Sequence, residues 1–199
     1  IKLDDIEARC VKILQYKYAL GLNQYQPINL QNLSDRLNSP HAAWLASKLN
    51  EEAITVVKNV AETLPVQHLD KKRIAVLSIG EVEGNPFQKM VNRYDSVACY
   101  SLLRTATAQQ IKKVYAELNN YDMIICSVHG THIAESKALT QLVQKKNVVF
   151  VFFTLPYYTQ EYKTSLQRAK GVVMAYEASV LSQQYAAQVL FGGIAARGK

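Results

Sequence analysis

Cysteine is sparse in this chain: Cys10, Cys99 and Cys126 stand far apart among 199 residues, with no CxxC pair. That scarcity excludes a dense disulfide framework and a paired-thiol redox centre, and Cys126, inside an apolar run, reads as a small buried thiol. Only five prolines are present and 49% of residues are hydrophobic, which excludes a disordered or low-complexity tail. No apolar run reaches the eighteen or so residues of a membrane span, so no transmembrane segment is expected. No basic start followed by an apolar region marks a secretory leader either. A processed fragment would have lost such a signal, so location stays open on this count.

Basic residues exceed acidic ones by seven, and the excess is uneven. Residues 1–70 carry 7 basic and 8 acidic side chains, while residues 71–199 carry 16 and 8. A basic second part attracts phosphate or an anionic glycan. Nucleic acid is not expected, because the cations stand as pairs on helical segments (Lys112 and Lys113, Lys145 and Lys146) without the interleaved aromatics of a single-strand groove.

Helical spacing of Ile6, Cys10, Ile13 and Leu14 predicts a helix over 4–20 that Gly21 stops. A short helix over 30–37 follows. Ser39 and Pro40 then start another, with Trp44, Leu45, Leu49, Ala53, Val56 and Val57 on one side, ending near Asn59. Trp44 is expected in the core on this register. From Arg73 the pattern changes to apolar runs at 74–79, 96–100, 123–128, 148–153 and 172–175, alternating with helices near 86–93, 107–119, 135–146, 157–169 and 179–190. Strands apolar at nearly every position are buried on both faces. The expectation is therefore a three-layer α/β/α sandwich with a mostly parallel sheet over 73–199, preceded by linker helices in 1–72.

Ligands in such sheets bind beyond the carboxyl ends of the strands. Glu81, Glu83 and Glu177 follow strands there and are candidate substrate contacts, although rim and helix-start carboxylates occupy the same positions. His129 and His132 are candidates on the loop after the third strand. Two imidazoles with Glu135 alone nearby are too few ligands for a closed zinc site, so no metal is expected. Ser127 beside His129 lacks an acidic orienter and is not read as a triad. Gly193, Gly198 and Lys199 match the spacing of a phosphate-binding loop, but they trail a helix instead of following a strand. With no GxGxxG after the first strand, no cofactor is expected.

Three stretches, taken in order, resemble the second domain of family 3 glycoside hydrolases. Residues 12–22 (KILQYKYALGL) resemble the helix closing the family's barrel domain. His41–Ala46 with residues 51–59 (EEAITVVKN), then Leu64-Pro65 and residues 72–77, resemble the linker entering the second domain. Residues 186–193 (AAQVLFGG) with Gly198 resemble the family's closing signature. Residues 173–177 (VMAYE) and 154–157 (TLPY) resemble the β-N-acetylhexosaminidase branch.

The resemblance implies a supporting C-terminal domain, 73–199, of a retaining hydrolase of β-N-acetylglucosaminides. The preceding 1–72 would be the end of the barrel domain and the linker. The aspartate nucleophile and the proton-transfer histidine of that branch belong to the barrel, so no catalytic residue is assigned here and the isolated chain is expected to be inactive. The barrel and a glycan would be the partners, and the parent would be secreted or periplasmic. Two alternatives remain. One is the β-glucosidase branch, where Glu81, Glu83 or Glu135 would serve as acid/base; the other is a noncatalytic α/β ligand-binding module.

Overall fold

The structure is a computed structural model that describes residues 2–24, 26–131 and 136–198. The chain divides into two compact units, Ile1–Ala43 and Trp44–Lys199. In the first, helix α1 (Leu3–Ala19) ends as its sequence predicts: Gly21 takes φ 73°, its N–H donates to the Tyr18 carbonyl, and the Leu22 N–H reaches back to that of Lys17. These two bonds satisfy carbonyls that the last turn leaves free. Helix α2 (Leu33–Leu37) follows, and α3 (Pro40–Ala53) starts where the Ala42 N–H donates to Ser39 Oγ.

The expected continuation of α3 to Asn59 is corrected by the structure. The helix stops at Ala53, Ile54 is fully buried, and strand β1 (Thr55–Asn59) runs antiparallel to the last strand of the sheet. β-branched Ile54, Thr55, Val56 and Val57 favour extended backbone, and an open sheet edge offers their amides partners. Trp44 is the second correction, being 60% exposed where burial was expected. Helix α3 meets its neighbour through polar atoms instead: Ser47 Oγ lies 2.6 Å from the Tyr185 hydroxyl and Ser179 Oγ donates to Asn50 Oδ1. Trp44 and Leu49 are thereby left facing outward.

The remaining strands are β2 (Ile74–Ile79), β3 (Ala98–Leu102), β4 (Met123–His129), β5 (Asn147–Phe153) and β6 (Gly171–Met174). Their order is β1-β6-β5-β4-β2-β3, and every pairing except β1 with β6 is parallel. Strand β3 begins two residues later than the sequence pattern predicts. Helices α4 (Pro86–Val91) and α8 (Val180–Leu190) cover one face, over Val76, Ile125, Val151 and Val173. Helices α5 (Ala108–Leu118), α6 (Lys137–Lys145) and α7 (Lys163–Arg168) cover the other, over Leu77, Ile124, Phe150 and Phe152. The three-layer α/β/α sandwich follows from strands apolar on both faces and helices with one apolar stripe each. Strand β2 lies between β3 and β4; the crossover from β2 to β3 carries α4 on one face and the crossover from β3 to β4 carries α5 on the other. The switch point of the topology therefore falls between the carboxyl ends of β2 and β4, where a crevice is expected.

Candidate functional site

At that switch point the core is polar. Ser78 on β2 and Ser127 on β4 are paired in register and fully buried, with their hydroxyl oxygens 2.9 Å apart. Asn85 caps α4 by accepting the Gln88 N–H, and its Nδ2 donates to Ser78 Oγ at 3.0 Å. Gln88 accepts the Gly84 N–H on Oε1, while its Nε2 donates to Ser78 Oγ at 3.0 Å and to the Tyr100 carbonyl at 3.0 Å. These bonds fold the loop 80–85 back over the end of β2.

The donors give the chain of bonds a direction. Both amides can only donate to Ser78 Oγ, because backbone N–H groups occupy their oxygens, so Ser78 donates its own proton to Ser127. Ser127 in turn donates to His129 Nε2, 3.0 Å away. Nε2 is then the acceptor nitrogen, and the ring of a neutral His129 carries its proton on Nδ1. His129 is 3% exposed and stacks on Phe153 with ring centroids 4.6 Å apart. Its pKa is lowered to about 4, chiefly by burial, with the Glu81 carboxylate acting in the opposite direction. Protonation would turn Nε2 into a donor toward Ser127 and take away the acceptor of the Ser127 hydroxyl proton. His129 Nδ1 and Thr154 Oγ1, at the ends of β4 and β5, are buried without a hydrogen-bond partner among the described residues.

The candidate residues do not form one cluster. Glu81 is half-buried, accepts the Val82 N–H and acts electrostatically on His129. Glu83 is exposed and lines a separate cavity of about 460 Å³ at the end of β3, with Tyr100, Leu102, Thr105, Lys113 and Glu117. Glu177 is exposed beyond β6, two strands from β4, on a turn set by Tyr176 at φ 63°. His132 and Glu135 lie outside the described residues. Among the described residues, no three His, Cys, Asp or Glu side chains gather as metal ligands.

Sequence reasoning missed Arg104, whose guanidinium overhangs Gly130, itself at φ 91° where β4 turns off. A cation two residues past a strand end was the available signal. It also passed over Asn85, Gln88 and Gln183 as parts of the site. The Gln183 amide holds the first turn of α4 by accepting the Phe87 N–H, 3.1 Å away, and donates to the Ala178 carbonyl. Buried amides of this kind leave no periodic trace in a sequence.

No protein-family model matches the chain, and no curated protein does. Solved structures do share its fold. A glycoside hydrolase family 3 β-N-acetylglucosaminidase from Paenibacillus sp. str. FPU-7 superposes with a TM-score of 0.67 at 14% identity, covering 100% of this chain and 39% of that one. The β-glucoside phosphorylase BglX does so with a TM-score of 0.66 at 16% identity, covering 100% of this chain and 38% of its own. A β-glucosidase from Listeria innocua, in complex with isofagomine, gives 0.64 at 15% identity, covering 91% and 30%. The chain thus spans less than two fifths of each of these proteins.

Proposed function

We propose that the chain is the C-terminal α/β domain of a family 3 glycoside hydrolase and supports a catalytic barrel that it does not itself contain. The observation that carries this reading is the superposition of the whole chain, leading helices included, on under two fifths of two carbohydrate-active enzymes. In this reading the parent hydrolyses β-N-acetylglucosaminides with retention and is secreted or periplasmic. A barrel aspartate attacks the anomeric carbon, a barrel proton donor protonates the leaving oxygen, and water releases the sugar. Residues 154–157 and 173–177, at the ends of β5 and β6, carry the resemblance to the N-acetylglucosaminide branch. This domain supplies a wall of the cleft at its strand ends. The buried chain from Gln88 through Ser78 and Ser127 to His129 keeps that wall rigid, which is what a site held to within a fraction of an ångström requires.

Glu81 favours one other reading. It is a half-buried carboxylate at the switch point that acts electrostatically on His129, and the β-glucosidase-branch alternative takes its acid/base group from Glu81, Glu83 or Glu135. Assay of this chain, and of a protein joining it to its upstream coding sequence, on aryl N-acetylglucosaminide and aryl glucoside separates the two. We expect the longer protein to prefer the N-acetylglucosaminide and the isolated chain to lack a comparable rate on either. Preference for the glucoside, abolished by Glu81→Gln, would transfer the assignment to the second reading. A parent-like rate from the isolated chain would end both.

A further inference from the structure

A concentration of positive charge lies at the opposite end of the sheet from the switch point. Helix α6 ends in Lys145 and Lys146, α7 ends in Arg168, and Lys170 precedes β6; together with Asn147 they surround a depression of about 410 Å³. Among the described residues, no carboxylate lines it. Cations at helix C-termini are ordinarily explained by the carbonyls they neutralise. Here another residue performs that task for α7: Lys58 Nζ on β1 donates to the Leu166 and Gln167 carbonyls at 2.9 and 3.0 Å. The nearby Asp122 carboxylate is hydrogen-bonded by Arg73 through both the guanidinium and the backbone N–H, and Lys146 acts on it only at longer range. Among the described residues, none of the four cations around the depression forms an ion pair.

The backbone beneath these side chains is fixed. The Lys170 N–H donates to the Val148 carbonyl and its own carbonyl accepts the Val60 N–H, so Lys170 is stapled between β5 and β1. The Lys146 N–H is held by the Leu142 carbonyl. Four like charges set on a rigid rim repel one another unless an anion lies between them. The depression is wide enough for several anionic groups, and among the described residues no aromatic side chain on which a nucleobase would stack lines it.

We propose that this depression binds an anionic glycan, a sugar chain bearing sulfate, phosphate or carboxylate groups, at the amino ends of β5 and β6. The site is independent of the strand-end crevice and of the hydrolase reading. Its test is calorimetric titration of the chain with a sulfated hexasaccharide, with neutral chitohexaose and with oligo(dT)12. The sulfated hexasaccharide should bind at 1:1 stoichiometry and weaken roughly sixtyfold between 50 and 200 mM salt, as release of about three ions predicts. The chitohexaose should show no binding at this site. Arg168→Glu with Lys170→Glu should lower affinity at least about tenfold, by loss and reversal of two close charges.

Lys89→Glu with Arg93→Glu removes the same charge from the end of α4, on the other face of the sheet, and should change affinity no more than about threefold, as expected beyond a Debye length. Equal losses in the two variants would reduce the effect to net charge and overturn the site. So would failure of the hexasaccharide to bind, or oligo(dT)12 binding as tightly. Unfolding midpoints are compared first. Should Arg168→Glu with Lys170→Glu unfold, Lys145→Glu, at an exposed helix end, reads the same site, and an unchanged affinity there would also overturn it.

Discussion

His129 shows how much a single side chain can owe to the direction of its hydrogen bonds. Two amide donors fill Ser78, Ser78 donates to Ser127, and Ser127 donates to His129, so the folded protein holds the neutral ring and resists the charged one. The unfolded chain takes up a proton on this residue near its ordinary pKa of about 6.5, whereas the folded chain does so only near about 4. Stability is therefore full above about pH 6.5, falls as the pH drops from there to about 4, and levels off below. The loss is on the order of 3 kcal/mol. Urea denaturation from pH 7.5 to 4 should show this decline, and His129→Gln should flatten it by removing the titrating group. A decline of equal depth in the variant would place the effect in carboxylates instead. Gln88→Ala should be costly at any pH, because it removes one of the two amide donors to buried Ser78 and the side-chain partner of the Gly84 N–H and the Tyr100 carbonyl, and leaves a void where a buried side chain stood. A loss of roughly 3 kcal/mol is expected. Sequence reasoning reached His129 through its place after a strand but not the reason it is neutral, which depends on partners at Ser78, Asn85 and Gln88 that only the fold brings together.

Elements were legible where one local rule decides and obscure where two compete. Thr107 and Gln110 announce a capping box, and α5 begins there: Thr107 Oγ1 accepts the Gln110 N–H, and the Gln110 side chain accepts that of Thr107. Thr107→Ala should lower stability by about 1 kcal/mol, read as a shift in the urea midpoint at unchanged slope. Glycine at 107 should recover most of the loss, since glycine is tolerated as an N-cap. The stretch 54–59 was misread because Val56 and Val57 also continue the stripe of α3, so a helical period and a β-branched run offered the same residues to two structures. The free edge of β6 decides between them, and no local pattern contains it. Trp44 was misread for a related reason: the stripe shows that an apolar side exists, not which side meets α8, and Ser47 and Asn50 make that contact.

At the scale of the whole molecule, the sheet was readable because a parallel strand buried on both faces is apolar at nearly every position, and β2, β4 and β5 are. The first unit poses the opposite problem. Helix α1 contains no buried residue, and Leu3, Val11, Ile13 and Leu14 are each more than half exposed. A helix of 17 residues is marginal in water when its apolar stripe is uncovered, because nucleation is costly and most helix stability in proteins comes from packing. Two different exchange regimes should result. In the isolated chain, amides of β4 and β5 should exchange only through global unfolding, while those of α1 should exchange within about tenfold of the unprotected rate. In the longer protein, where the proposed barrel would cover the stripe, α1 should slow by at least about a hundredfold, corresponding to roughly 3 kcal/mol of added local stability. Hydrogen exchange read by mass spectrometry on both proteins compares the two directly. Protection of α1 in the isolated chain equal to that of β4 would show that its stripe needs no outside surface. Unchanged exchange in the longer protein would show that the barrel does not provide one. Either result would remove the support that α1 lends to reading residues 1–72 as the end of a barrel domain and its linker.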